Sequence, residues 1–337
     1  MIDLRSDTVT LPTPQMLEAM NSAPVGDDVF GDDPSINKLE QYAAERFGFD
    51  EALFTSSGTQ ANLLAILGHC GRGDEYLCGQ DAHNYKYEAG GAAVLGSVQP
   101  QPIANAADGS IDLELAKKYI KPDDYHFART RLLSIENTIG GKVLSMDYMA
   151  KAQAFAFNNN LKIHLDGARM MNAAVALAVK PEQITQFFDS VSICLSKGLA
   201  APVGSLLLGD SAFIARARRL RKMVGGGMRQ AGSLAAAGQV ALESMIERLA
   251  DDHANAKYLG EQLNTLEEVS CNLDDIETNM VFAEFGPRIN PDIITAALLE
   301  RDIKVLSGNP MRLVLHKDIS KQDIDSFIKE LSQILDI

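Results

Sequence analysis

The sequence predicts an α/β protein: a large domain on a mostly parallel sheet, followed by a small α+β domain. Three observations lead there. Between residues 52 and 209 short apolar runs alternate with helical patterns. Those runs are apolar along their length, the mark of strands covered on both faces. Beyond residue 250 the rhythm changes to strand, helix, strand, strand, helix.

The elements follow in order. A helix starts at Pro14, capped by Thr13, and runs to about Ser22. The loop VGDDVFGDDP leads to Asp33 as cap and Pro34 as first position of a second helix. Ile36, Leu39, Tyr42, Ala43 and Phe47 recur at helical spacing there, and Gly48 ends it. Next come the strand ALFTSS, a helix from Thr59 to Gly68, and strands EYLCG, AAVLGSVQ and RLLSIEN. A helix from Asp147 to Asn158, the strand KIHLDG, a helix from Ala168 to Ala178, and strands SVSICLS and GSLLLG complete the block. A long helix is expected from Arg229 to Ala250. The remainder reads as strand 280–285, helix 292–301, strands 303–306 and 312–316, and helix 320–335, with Ser320 and Asp323 as a capping box. The expected division is an N-terminal segment 1–20, a large domain 21–250 and a small domain 251–337.

Composition narrows the function classes. With 46% hydrophobic and 23% charged residues the chain classes as a soluble globular protein. Its 31 basic and 45 acidic residues leave a net charge of −14, against a nucleic-acid footprint. The longest purely apolar stretch, Ala173 to Val179, is too short to span a membrane. The start MIDLRSDTVT carries charges where a secretory signal would be apolar. Four cysteines without a CxxC pair read as buried, reduced thiols of a cytoplasmic protein.

In open α/β sheets ligands bind beyond the carboxyl ends of the strands. Lys197 follows the strand SVSICL and precedes Gly198. A lysine in a dry crevice becomes nucleophilic near neutral pH and can form a Schiff base; a surface lysine in a turn has the same local sequence. Asp166 ends KIHL, where a carboxylate pairs with a pyridinium nitrogen or simply caps the next helix. Gly58-Thr59 opens a helix after a strand, an anion site made of backbone N–H groups or an ordinary cap. His83 follows EYLCG, where an imidazole stacks on a planar cofactor, moves a proton, or fills a loop. The order of these four, in one α/β block, matches the aspartate aminotransferase fold of pyridoxal-phosphate enzymes.

The strings IDLRSDTVT, VGDDVFGDDP, SGTQAN, HLDGAR, LSKGLAAPVGS and KMVGGGMRQAG together resemble the low-specificity L-threonine aldolases. These belong to the β-eliminating lyase group of fold type I pyridoxal-phosphate enzymes, and the resemblance covers essentially the whole chain. It implies an aspartate aminotransferase-like large domain and pyridoxal 5'-phosphate as cofactor. It also implies cleavage of L-threonine, L-allo-threonine and related β-hydroxy-α-amino acids to glycine and an aldehyde. Position by position, Lys197 resembles the lysine that holds the cofactor aldehyde, Asp166 the partner of the pyridine nitrogen, and Arg169 the contact to the ring oxygen. Gly58 and Thr59 would hold the phosphate and His83 would stack on the ring. Ser6 and Arg312, with Arg169 nearby, resemble the substrate carboxylate site. His83 and His126 lie where the family places groups near the substrate hydroxyl. Lys222 and Arg229 resemble residues that reach a neighbouring subunit's site, in a homotetramer (dimer of dimers) with shared sites. The resemblance implies a small amino acid as substrate, no nucleic-acid or membrane partner and no metal. The chain departs from the family pattern at Phe30, where many relatives have Tyr, at Ile139-Gly140-Gly141, and at Ala200, where Gly is frequent. Other readings on the same fold are an aminotransferase, a cysteine desulfurase, or a relative without catalysis.

Overall fold

The apolar runs between residues 51 and 209 pair into one seven-stranded sheet. The computed structural model describes residues 1–335, so the last two positions of the expected 251–337 domain lie outside the described residues. The strands are β1 (Glu51–Thr55), β2 (Asp74–Gly79), β3 (Gln99–Ile103), β4 (Arg129–Glu136), β5 (Lys162–Asp166), β6 (Ser190–Cys194) and β7 (Ser205–Gly209). Their spatial order is β1-β7-β6-β5-β4-β2-β3. Only β7 opposes the others, pairing antiparallel with β1 and β6. The other neighbours pair in parallel. The carboxyl ends of six strands therefore share one edge. Strands β2, β6 and β7 are buried at every position, which fits strands covered on both faces.

The local signals explain where helices begin and end. Thr13 accepts from Met16 N–H at 3.2 Å and starts Pro14–Ser22. Asp33 Oδ1 accepts from Ser35 and Ile36 N–H and starts Pro34–Phe47. That helix closes on Gly48 at φ 73°, a left-handed position that favours glycine. Ser320 and Asp323 cap each other's backbone N–H reciprocally before Lys321–Leu335.

Two elements differ from expectation. The run AAVLGSVQ is not a strand: Gly91–Gly96 is a short helix framed by left-handed Gly90 and Ser97. Ala92 is buried, whereas Val94 and Leu95 face solvent. The strand that follows is Gln99–Ile103, carrying Pro100 and Pro102. It lies at the sheet edge and pairs only with β2, and an edge tolerates residues without N–H. The long helix 229–250 is likewise two helices, Gly232–Ser244 and Leu249–Leu263. The first starts at Gly232 because Asp33 Oδ2 accepts its N–H at 2.9 Å, and a Cβ there would meet Asp33 Oδ1 at 2.2 Å. The break after Ser244 buries Met245, Ile246 and Leu249, so the apolar spacing runs through it unmarked.

A second apolar core joins Leu4 to Leu259, Leu263, Val281, Leu313 and Phe327. Met280–Phe285 pairs antiparallel with Met311–Val314, and Ile2–Asp3 pairs with Ile303–Lys304. The N-terminal segment thus belongs to the core built by the C-terminal third. Among the described residues no helix is long and apolar enough to cross a membrane, and all four cysteines are free and buried.

Close packing sets the carboxyl edge. A Cβ on Gly58 would lie 2.6 Å from Cys194 Sγ. Gly58→Ala is expected to destabilise the protein by about 1–3 kcal/mol through overpacking. Adding Gly58→Ala to a Cys194→Ala background should cost clearly less. Urea unfolding of the four proteins checks this, and strictly additive effects would rule out the steric account.

Candidate active site

At the shared carboxyl edge, Lys197, His83, Arg169, Ser6, Arg312 and Glu136 line one cleft of about 810 Å³. Lys197 stands three residues past the end of β6. Its carbonyl accepts from Thr10 Oγ1 at 3.0 Å and from Ala200 N–H at 2.8 Å. Ala200 closes that turn at φ 64°, where glycine would be unstrained and alanine costs about 1–2 kcal/mol.

Asp166 ends β5, beside Glu136 at the end of β4. It is 2% exposed and lies outside the cleft lining. Its Oδ1 accepts from Ala168 N–H at 3.1 Å, while Oδ2 accepts from Asn62 Nδ2 at 2.6 Å. The helix expected from Ala168 starts instead at Met170, without a side-chain cap from Asp166. Glu136 accepts the backbone N–H of His83 at 2.8 Å. Burial and the neighbouring Asp166 push Glu136 above the usual carboxylate range. The His83 ring, 38% exposed, has Nδ1 at 2.9 Å from Glu88 Oε1. That bond lifts His83 above the usual imidazole range, against the opposing effect of burial.

Arg169 has most of its fork committed. Its Nε donates to Asp7 Oδ2 at 2.8 Å and Nη2 to Asp7 Oδ1 at 2.5 Å. Burial alone would raise Asp7, but the guanidinium outweighs it and holds the carboxyl below its usual range. Arg312 is different. Its Nη2 donates to Arg5 O at 3.1 Å, and its Nε is buried without a partner. Burial and the charge of Arg169 lower its pKa. Arg312 lines the cleft and has no carboxylate partner among the described residues. Ser6, which lines the same wall, accepts from Thr8 N–H at 3.2 Å.

Gly58 and Thr59 open the Gly58–His69 helix at this edge. Ser57 Oγ takes the Gln60 N–H, and the first helical N–H groups lack an intrahelical acceptor. These two residues stand outside the lining of the cleft.

Besides Asp166, Gly58 and Thr59, three more expected site residues stand outside this cleft. His126 is exposed and bonded to Asp124 Oδ1 at 2.6 Å. It precedes the amino end of β4, and that eight-residue strand puts roughly 25 Å between it and the carboxyl edge. Lys222 lies exposed at the end of Ser211–Met223. Arg229 is exposed and pairs with Asp27 at 3.0 Å. Neither lines the cleft of its own chain.

Four polar residues of the site escaped the sequence reading: Asp7, Asn62, Glu88 and Glu136. Glu136 carried a usable signal, since it follows an apolar run as Asp166 does. Asn62 and Glu88 lie within a helix and a turn and become visible only through contacts.

A beta-eliminating lyase family profile matches residues 3–285. The low specificity L-threonine aldolase of Escherichia coli K12 is 53% identical over 324 residues, covering 96% of each chain. Low-specificity L-threonine aldolase 1 of Arabidopsis thaliana is 42% identical, over 96% of this chain and 93% of the relative. The solved Leishmania major threonine aldolase superposes with a TM-score of 0.84 over 99% of this chain and all of its own, at 20% identity. The chain belongs to the beta-eliminating lyases and, among them, to the low-specificity L-threonine aldolases.

The Asp7–Arg169 pair gives a stability test. Asp7→Asn leaves a buried guanidinium uncompensated and is expected to cost about 3–5 kcal/mol. Because the folded-state pKa of Asp7 is lowered, its contribution is complete above the unfolded value near 4. It is lost as pH falls through the lower folded value. Thermal unfolding at pH 7 measures the loss, and an unchanged midpoint contradicts it.

Proposed function

We propose that the protein is a pyridoxal 5'-phosphate-dependent aldehyde-lyase. It cleaves L-threonine, L-allo-threonine and related β-hydroxy-α-amino acids between Cα and Cβ, releasing glycine and an aldehyde. The observation that carries this reading is one cleft with Lys197, His83, Arg169, Ser6 and Arg312 on its walls and Asp166 beneath it. It stands in a chain 53% identical to a low specificity L-threonine aldolase.

The residues fit the cofactor and an amino-acid substrate. The cleft holds an amine, Lys197, and the Arg312 guanidinium, which has no carboxylate partner among the described residues. A buried carboxylate and a helix N-terminus stand at the same sheet edge. When bound, the cofactor supplies a sink for the electron pair released from the Cα–Cβ bond. Lys197 would hold it covalently, Gly58 and Thr59 would hold its phosphate, and Asp166 would keep a proton on its ring nitrogen. His83 would pack on its face. Arg169, with Nη1 still uncommitted to Asp7, would reach its ring oxygen or the substrate carboxylate. Ser6 and Arg312 would bind that carboxylate and so fix how the substrate is oriented toward the cofactor, which is catalysis by orientation. His83 is the imidazole of the cleft and takes the β-hydroxyl proton, directly or through water.

The same reading has a homotetramer, a dimer of dimers, in which His126, Lys222 and Arg229 serve a neighbouring chain's cleft. Their exposure outside their own cleft supports this. The four buried free cysteines support a reducing, cytoplasmic setting, where the reaction breaks down threonine and forms glycine.

Two experiments test the reading. Arg312→Ala is expected to raise KM for L-threonine roughly 10–100-fold, the worth of a charge-assisted hydrogen bond. Aldehyde release measures it, and amino transfer to 2-oxo acids in its place would reassign the enzyme. Lys197→Ala is expected to abolish turnover, as is Arg229→Ala. Mixing the two under verified subunit exchange should restore activity in hybrids that regain an intact site, and inactive hybrids would place Arg229 outside the neighbour's site.

A further inference from the structure

Beneath the cleft, His83, Glu88, Asn62 and Asp166 form one hydrogen-bonded chain. His83 Nδ1 is 2.9 Å from Glu88 Oε1. The same oxygen accepts from Asn62 Nδ2 at 2.8 Å, and that amide also donates to Asp166 Oδ2 at 2.6 Å. Asn62 Oδ1 in turn accepts from Ser192 Oγ at 2.7 Å. Glu88, Asn62 and Asp166 are 7%, 1% and 2% exposed, so water does not compete for these bonds. The polar atoms of His83, Glu88 and Asp166 lie within 4.8 Å of one another, but the gap between the two carboxylates is already filled by the amide NH₂. A donor there suits two acceptors and repels a cation.

We propose that Glu88 and Asn62 are positioning residues: Glu88 fixes the orientation and tautomer of the His83 ring, and Asn62 locks that ring to Asp166. The proposal rests on reading the cleft as a pyridoxal-phosphate site. An ionised carboxylate only accepts, so Nδ1 carries the hydrogen and Nε2 is left as the free ring nitrogen. Asn62 sits one turn beyond Gly58 and Thr59 on the same helix. The phosphate cradle, the stacking ring and the ring-nitrogen partner are thereby held in one frame, the arrangement that preorganisation of a site requires. The titratable groups facing His83 are Glu88, Asp166, Glu136, Lys197 and Tyr87. Burial raises Glu88, with Asp166 adding to the rise and the bonds from His83 and Asn62 countering it. The Glu88 bond is the largest influence lifting His83.

The test uses cofactor-loaded protein with ¹⁵N-histidine, and pyridoxal 5'-phosphate as the titrated ligand. In the unaltered protein His83 should show a protonated Nδ1 and titrate above its ordinary value. Glu88→Gln should lower the His83 pKa by about one unit or more and mix the two tautomers. Asn62→Leu should weaken cofactor binding at least tenfold while Lys197 still takes the cofactor, seen as its visible absorption band. If Asn62→Leu does not fold, Asn62→Ala, which adds no bulk, takes its place. An unchanged His83 tautomer and pKa in Glu88→Gln overturns the orienting role, and cofactor affinity within twofold in the Asn62 variant overturns the link to Asp166. Absence of the absorption band in the unaltered protein would instead overturn the reading of the cleft.

Discussion

The site depends on strand direction. Six strands of the central sheet end at the same edge, and only β7 opposes them. Parallel pairing obliges the chain to return along the sheet after each strand, so every turn at that edge begins where an apolar run stops. Polar residues placed just past those runs converge without being neighbours in sequence. Glu136, Asp166 and Lys197 meet for this reason, and the first turn of the Gly58–His69 helix joins them because β1 also points that way.

The second dependence is on the N-terminal segment. Leu4 is part of the core made by the C-terminal third, Arg5 O accepts from Arg312, and Thr10 donates to the Lys197 carbonyl. Between them Asp7, fully buried, takes two hydrogen bonds from Arg169 and a long one from Asn279. A dozen residues thus lace the two cores together across the mouth of the cleft. Burying that ion pair costs desolvation, and the geometry offsets it only while both partners are present. Its consequence for binding is a division of labour. Arg169 is held rigid by Asp7, and Arg312 has no carboxylate partner among the described residues, which leaves it to the carboxylate-binding role proposed for it.

Charge is concentrated around the site in a way the whole-chain balance conceals. The chain carries a net charge of −14, yet Lys197, Arg169 and Arg312 share one cleft. Asp7, Asp166, Glu88 and Glu136 lie against or beneath them. Burial and the neighbouring Asp166 drive Glu136 above the usual carboxylate range. Local fields of this kind follow from burial and distance, neither of which composition contains.

Helix starts at Thr13, Asp33 and Ser320, the buried runs of β2, β6 and β7, and the strand-end positions of Asp166 and Lys197 were all legible in the sequence. Each rests on chemistry confined to a few adjacent residues: a cap oxygen reaching the next turn, an apolar run, a polar residue where that run stops. The edge strand with its two prolines was not legible, because only its position at the sheet margin makes prolines acceptable there. The break after Ser244 was hidden because Met245, Ile246 and Leu249 keep a helical apolar spacing through the turn. The most distant partner of Asp33, the N–H of Gly232, lies 199 residues away along the chain. Tertiary structure alone decided that Arg169 belongs to Asp7, that Asn62 bridges Glu88 and Asp166, and that His126 stands far from its own cleft. Those outcomes depend on which distant side chains compete for the same donors and acceptors, and that competition exists only once the chain has folded.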